Sequence, residues 1–278
     1  MVGVLPMQAR SLQEGSGTME AEARTILSTG IAQLDEALGV GGLPCGRLIE
    51  FFGPADAGKR ELLLRAIAAA QREGRVCAFV NVGRAFDPAE ATRLGVQLDA
   101  LLVSQLVSQP DGVEQGLQVL ETLLRTGAVD LMVVGLAAET PPAETTDLVE
   151  ELRREQEGFV RARRNNAQCR KIAALVSRTS CVVAFALDLA RGATGPLNNA
   201  LKYYSSVRVD VRRVGQVARV KIVKNKVAAP FREAEIPLMP SDVACGCGHF
   251  WSSHTRIASG ADACRHFGCG CSDYEVRS

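Results

Sequence analysis

Short apolar runs alternate with amphipathic stretches along most of this chain, and that alternation already predicts its class. RLIEFFG (47–53) is apolar but for its ends and Glu50, the pattern of a strand covered on both faces. ELLLRAIAAAQREG (61–74) repeats its apolar positions at helical spacing and closes on Gly74, a helix-stop residue. VCAFVNV (76–82) predicts a second strand, AEATRLGV (89–96) a short helix and LLVSQ (101–105) a third strand. GVEQGLQVLETLLRTGA (112–128) predicts a helix and DLMVVGL (130–136) a fourth strand. A charged stretch over 143–178 reads as helix, TSCVVAFAL (179–187) as a fifth strand, and SSVRVDVRRV with ARVKIVKNKV as a strand pair around Gly215. Strands alternating with helices need crossover connections, so the expected class is α/β with a mainly parallel central sheet.

The two ends break the pattern. Residues 1–24 are polar, rich in Gly, Ser and Glu, and predict a flexible arm. Past Pro240 the composition turns abruptly to Cys, His, Gly and Ser. The expected organisation is therefore an arm over 1–24, a core domain over 25–240 and a small module over 241–278.

Composition adds little to the core and much to the tail. The chain has 278 residues and a formal net charge of +1, so a nucleic-acid surface, if present, is a local patch. No apolar run reaches the length of a membrane span, and the first residues lack the cationic lead and apolar stretch of a secretory signal. The expectation is a cytoplasmic protein. Of its nine cysteines, Cys45, Cys77, Cys169 and Cys181 sit in largely apolar stretches and read as small buried hydrophobes. The other five stand with all three histidines after Pro240.

Gly53, Pro54, Ala55, Asp56, Ala57, Gly58 and Lys59 spell G-x-x-x-x-G-K between an apolar strand and an amphipathic helix. Glycines at these places let backbone N–H groups converge on an anion, while the following helix turns its positive end toward the same point. Lys59 supplies a point charge for the outer phosphates. The pattern then requires a Mg²⁺-binding hydroxyl, and this chain has Arg60, which only donates hydrogen bonds. Arg60 either pairs with phosphate oxygens in place of the metal or points to solvent.

With that loop, STGIAQLDEALGVGGLPCGRLIEFFGPADAGK (28–59), AIAAAQREGRVCAFVNVGRAFDPAEATRLGVQLDALLVSQ (66–105) and TGAVDLMVVGLAAETP (126–141) resemble the core of the bacterial RecA recombinase family. NNALKYYSSVRVDVRRVG (198–215) and RVKIVKNKVAAPFREAEI (219–236) extend the resemblance in order and spacing. It implies a RecA-type P-loop ATPase core, ATP as ligand, and assembly on single-stranded DNA with RecA or other repair proteins, as homo- or hetero-oligomers.

The same resemblance implies that catalytic positions have changed. The family's water-activating glutamate falls on Gly83, its Mg²⁺-supporting aspartate on Gly135, and its γ-phosphate-sensing glutamine on Leu187. Nothing in their spacing marks Asp188 or Glu61 as replacements. Losing a general base costs about 10²–10⁴ in rate, and phosphoryl transfer also leans on metal and electrostatic support. The expectation is negligible ATP turnover, hence no enzyme. Asp87 matches a residue near the adenine, with Glu90 where the family has a stacking tyrosine. Lys224 and Lys226 match lysines that reach a neighbouring subunit's ATP, and read equally as exposed strand lysines.

Two further regions bear on partners. The family's second DNA loop is here only ARGATGPL (190–197). Where the first DNA loop lies, ETTDLVEELRREQEGFVRARRNNAQCRK (144–171) carries Arg161, Arg163, Arg164, Arg170 and Lys171 with no acid among them, candidates for phosphate contact. The bland alternative is a solvated, salt-bridged helix face. In the tail, Cys245, Cys247, His249, His254, Cys264, His266, Cys269 and Cys271 suit a structural Zn²⁺, one ion using four of them and two nearly all. Together these features predict a RecA-like accessory or regulatory protein of DNA repair that holds ATP without turnover and docks on RecA filaments or a translesion polymerase complex. The alternatives are an active ATP-dependent recombinase with unusual catalytic residues and a zinc-dependent interaction adaptor.

Overall fold

The computed structural model describes residues 26–83, 86–106, 112–136, 148–189, 196–239, 254–256 and 262–264. In chain order the elements are β1 (Ile26–Leu27), α1 (Ala32–Leu38), β2 (Leu43–Pro44), β3 (Arg47–Gly53), α2 (Lys59–Arg72), β4 (Cys77–Val82) and α3 (Pro88–Arg93). They continue with β5 (Leu101–Leu106), α4 (Gly112–Thr126), β6 (Leu131–Leu136), α5 (Leu148–Val176), β7 (Val182–Asp188) and α6 (Pro196–Tyr204). The last are β8 (Val207–Val214), β9 (Val217–Asn225), β10 (Glu233–Pro237), β11 (His254–Arg256) and β12 (Asp262–Cys264).

Eight strands form one sheet in the order β10-β9-β8-β3-β7-β6-β4-β5. From β8 to β5 every pairing is parallel, while β9 and β10 close one edge antiparallel. The α/β class and mainly parallel sheet expected from the sequence are what the chain forms. Alternation of side chains divides the core in two. Ile49, Phe51, Phe79, Val133, Val182 and Ala184 pack with α1, α2 and α3 on one face. Leu48, Val80, Val134, Val183, Phe185 and Leu187 pack with α4, α5 and α6 on the other.

Predicted boundaries shift by a few residues at most elements. The strand predicted over 179–187 begins at Val182 because Thr179 caps the end of α5, its hydroxyl bonding Val176 O at 3.0 Å. The helix α1, the helix α6 and the edge strand β10 are additions to the sequence reading. β10 carries a single buried side chain, Ile236, between the exposed Glu235 and Pro237, too few apolar positions to announce a strand. No described helix is long and apolar enough to cross a membrane. The arm over 1–24 lies outside the described residues.

One buried ion pair crosses the sheet interior. Glu50 on β3 is fully buried and receives both Arg208 Nε and, at 3.3 Å, Arg208 Nη2 from the adjacent β8. The Arg208 guanidinium also lies 4.3 Å from the Phe52 ring centroid, a cation–π contact. Burial pushes the Glu50 carboxyl above its ordinary range, and the Arg208 hydrogen bond pulls back against that shift. This pair explains the one charge interrupting the apolar run 47–53.

Candidate functional site

The loop 53–58 links β3 to α2 at the carboxyl end of the sheet. Helix α2 starts at Lys59 behind Gly58, whose φ of 97° no side chain adopts comfortably, and no side chain caps it. Its first N–H groups therefore remain for an anion above the loop. The loop's Asp56 has φ 59° and, with Gly58 and Lys59, lines a cleft of about 340 Å³. The other lining residues include Arg60, Glu61, Asn81, Glu90, Gly135 and Asp188. Ala57 is buried beneath the loop, while Pro54 and Ala55 are exposed on it.

Lys59 is 3 % exposed, and its ammonium is enclosed on three sides. It donates to Gly53 O at 3.0 Å and to Pro54 O, and pairs with Asp188 Oδ1 at 2.8 Å. Strand parity explains Asp188. On β7, Val182, Ala184 and Ala186 face α2, so residue 188 faces the same way, while Leu187 packs into the opposite core. The residue facing the loop from this strand is therefore Asp188, and the predicted match at Leu187 is off by one. Asp188 lies directly across from Gly53 in the β3–β7 register.

Arg60 pairs with Glu90 of α3, Nη2 to Oε2 at 2.7 Å. The guanidinium is half-buried and has a carboxylate partner. The two departures from the family pattern thus meet each other across the cleft. Asp87, matched to an adenine neighbour, caps α3 by accepting from Ala89 N at 2.9 Å and Glu90 N at 3.2 Å.

The positions that the resemblance matches to the family's glutamate and aspartate leave little room for those side chains. Gly83 sits at φ 93°, a conformation in which a glutamate would be strained. At Gly135 an added Cβ would lie 2.8 Å from Asn81 Oδ1 and near the Phe79 ring, so those side chains occupy the space beside it. Asn81 in turn donates to Gln105 Oε1 at 3.0 Å. Oxygen donors of the kind Mg²⁺ prefers are nonetheless present in the cleft, on Asp188, Glu90, Glu61 and Asp56.

The rim is made by the end of β10. Leu238 packs on Gly58, Met239 N donates to Glu61 Oε1 at 2.8 Å, and Arg65 Nη1 donates to Pro237 O at 3.1 Å. Burial raises the Glu61 carboxyl, with the Met239 N–H opposing it. The segment leading toward the Cys/His-rich tail therefore leaves the core at the mouth of this cleft.

Lys224 and Lys226 lie elsewhere, in a second groove of about 740 Å³ at the amino end of β3. Arg47, Lys202, Tyr203 and Tyr204 share it. Lys224 Nζ donates to Lys202 O at 2.9 Å and Tyr203 O at 3.0 Å, capping α6. Burial, then the nearby Lys226 and Arg208, lower its pKa below the ordinary lysine value. The basic cluster of α5 divides: Arg164 pairs with Glu114 at 3.7 Å and Lys171 with Glu121 at 2.7 Å. Arg161, Arg163 and Arg170 are exposed with no acidic partner among the described residues.

Of the eight tail candidates, only His254 and Cys264 lie in described strands, where the β11–β12 register pairs them across the hairpin. Cys245, Cys247, His249, His266, Cys269 and Cys271 lie outside the described residues, as does most of the short loop 190–197. Among the described residues no group of three or more His, Cys, Asp or Glu is placed to hold a metal. Cys77, Cys169 and Cys181 are buried, their thiols pushed up to about 12 by desolvation, which suits packing and not reactivity.

Comparison with known proteins agrees with this architecture. The family model of the RecA N-terminal domain matches residues 11–244. The chain is 44 % identical over 245 residues to the Protein RecA of Methylobacterium sp. (strain 4-46), covering 81 % of this chain and 65 % of that protein. It is 43 % identical over 245 residues to Protein RecA of Blastochloris viridis, covering 81 % and 68 %, and 42 % identical over 248 residues to that of Cereibacter sphaeroides, covering 82 % and 69 %. The chain thus spans about two thirds of the length of these relatives. Identity of that extent to proteins named RecA overturns the expectation that the chain is no enzyme. That expectation judged the cleft by a few matched positions, whereas Asp188, Glu61 and Glu90 all line it.

Proposed function

The chain belongs to the RecA family, and from that footing we propose that it is a nucleotide-dependent protein of DNA recombination and repair. ATP takes the cleft above Lys59, with the loop 53–58 and the first turn of α2 around its phosphates. Mg²⁺, when bound with nucleotide, supplies charge neutralisation there, and the residues suited to its side of the phosphates are Asp188 and Glu90. The carrying observation is the enclosed Lys59 at a loop whose helix presents its bare N-terminus to the same space. Titration of labelled ATP with and without Mg²⁺, run beside a turnover assay with and without single-stranded DNA, tests the reading. Saturable binding that disappears in Lys59→Ala supports it; the absence of binding overturns it.

Assembly follows from the second groove. Arg47, Lys202, Lys224 and Lys226 present cationic charge without a carboxylate among the lining residues, which suits the anionic nucleotide face of a RecA-like neighbour. Docking of this kind supports an accessory or regulatory part in a RecA filament or a repair polymerase complex. Arg161, Arg163 and Arg170 on α5 supply a sequence-independent phosphate contact to single-stranded DNA. For the tail we propose a structural Zn²⁺ held by ligands from both halves, with His254 and Cys264 brought opposite each other by the hairpin. Metal analysis of the purified chain and of a variant ending at residue 240 checks that assignment: zinc found equally in both sinks it.

A further inference from the structure

An ammonium has three protons to donate, and on Lys59 all three directions are taken: two backbone carbonyls of its own loop and the Asp188 carboxylate. A buried lysine needs such a shell, because an unpaired charge out of water is costly. The carbonyls belong to the loop backbone and cannot leave without unfolding it. Asp188 ends β7, is 14 % exposed at its side chain, and borders the open cleft. Of these described partners it is the side chain, and a rotation of its own torsions moves its carboxylate.

We infer that Asp188 is a displaceable internal counter-ion that occupies the phosphate position on Lys59 and makes nucleotide binding depend on a divalent cation. The inference rests on the nucleotide reading of this cleft and deepens it. An entering phosphate oxygen takes the place of Asp188 Oδ1, and the expelled carboxylate then faces the phosphates it has made room for. Glu61, Glu90 and Asp56 border the same space, so the carboxylate finds no neutral refuge there. Arg60 does not compensate, since Glu90 already holds it at 2.7 Å. Arg213, the remaining lining cation, is engaged at 2.9 Å with Gly215 O and at 2.8 Å with Gln216 Oε1. A divalent cation bound there with the nucleotide would neutralise the charge that Asp188 and the phosphates share, because hard oxygen donors suit it. Asp188 is thus a specificity-determining residue: without it the cleft takes the bare nucleotide, and with it the cleft discriminates for the cation-bound form.

The test compares dissociation constants of a fluorescent ribose-modified ATP in Mg²⁺ and in EDTA. For the wild-type chain, EDTA weakens binding by about tenfold or more. In Asp188→Asn the EDTA value tightens and the ratio falls to about threefold or less, while Asp188→Glu keeps most of the ratio. Asp188→Ser serves as a second neutral variant, and a thermal melt of each confirms folding. Equal wild-type affinity in Mg²⁺ and EDTA overturns the inference whatever the variants do. An unchanged ratio in folded Asp188→Asn and Asp188→Ser also overturns it and leaves the nucleotide reading standing. A wild-type chain that binds nothing under either condition overturns both.

Discussion

The two ends of β3 hold opposite electrostatic arrangements only six residues apart, about 20 Å along the strand. At the carboxyl end each loop cation carries an internal acid, Lys59 with Asp188 and Arg60 with Glu90. At the amino end the groove around Lys224 and Lys226 has four cations, and Lys224 leans on backbone carbonyls at a helix end instead of on an acid. On the inference above, an anion arriving at the first site displaces a competitor; at the second it meets a partly desolvated lysine and no carboxylate among the lining residues. The first arrangement suits a regulated ligand and the second a standing contact with a partner.

The sharpest way to break this comparison is to attack what lies between the ends. Arg208 is the partner of the fully buried Glu50 midway along β3, and Arg208→Met leaves that carboxylate unpaired inside the sheet. Chemical denaturation should show a loss of about 3–5 kcal/mol, with most of it returning in Arg208→Met combined with Glu50→Gln. A loss under about 1 kcal/mol would mean that the pair does not join the two ends into one rigid strand.

Next in size is the carboxyl end itself. Lys59→Ala should weaken ATP binding by about a hundredfold or more, since it removes a buried phosphate-binding charge. The same chain should melt near the wild-type temperature, because Asp188, which loses the Lys59 ammonium, borders the open cleft. At the amino end, Lys224→Ala should leave ATP affinity of the isolated chain within about twofold, yet weaken association with RecA-like neighbours by about tenfold. Sedimentation of mixtures with ATP present separates the two. Equal effects of both substitutions on isolated-chain binding would erase the distinction between the ends.

Much of this was legible in the sequence, and its failures have a common cause. The apolar runs gave the strands because each parallel strand is covered on both faces, leaving Glu50 as the visible exception. The loop 53–59 was legible because its chemistry is local: glycine geometry, a helix start and one lysine. Asp188 was not, because a pattern match by residue position overrides nothing that strand parity dictates, and parity from Val182 onward already pointed residue 188 at the loop. Glu90 was read as the loss of an aromatic ring, and only the packing of α3 against the loop shows it as the partner of Arg60. The rim formed by Leu238 and Met239 depends on β10, whose register no alternation announced. Contacts between residues far apart in sequence are where a one-dimensional reading stops.

The smallest effect tests whether the α5 cluster behaves as two populations. Lys171 and Arg125 both reach Glu121, at 2.7 and 2.9 Å, and the Lys171 hydrogen bond foremost holds the Glu121 carboxyl below its ordinary range. The folded carboxylate therefore keeps Lys171 engaged at neutral pH, and the pairing is lost only as pH falls through that lowered value. Arg170, one residue earlier and exposed, has no such partner among the described residues. If single-stranded DNA lies along α5, Arg170→Ala should lower the slope of log affinity against log salt by about 0.7, one released counter-ion per lost single-strand contact. Lys171→Ala should change the slope by about half of that or less, because its charge is already answered within the protein. Glu121→Gln should move the other way, steepening the slope by releasing Lys171 toward phosphate. Equal slopes for all three variants and the wild-type chain would make α5 an ordinary solvated face, and would leave the groove at the amino end of β3 as the remaining anion-seeking surface of the core.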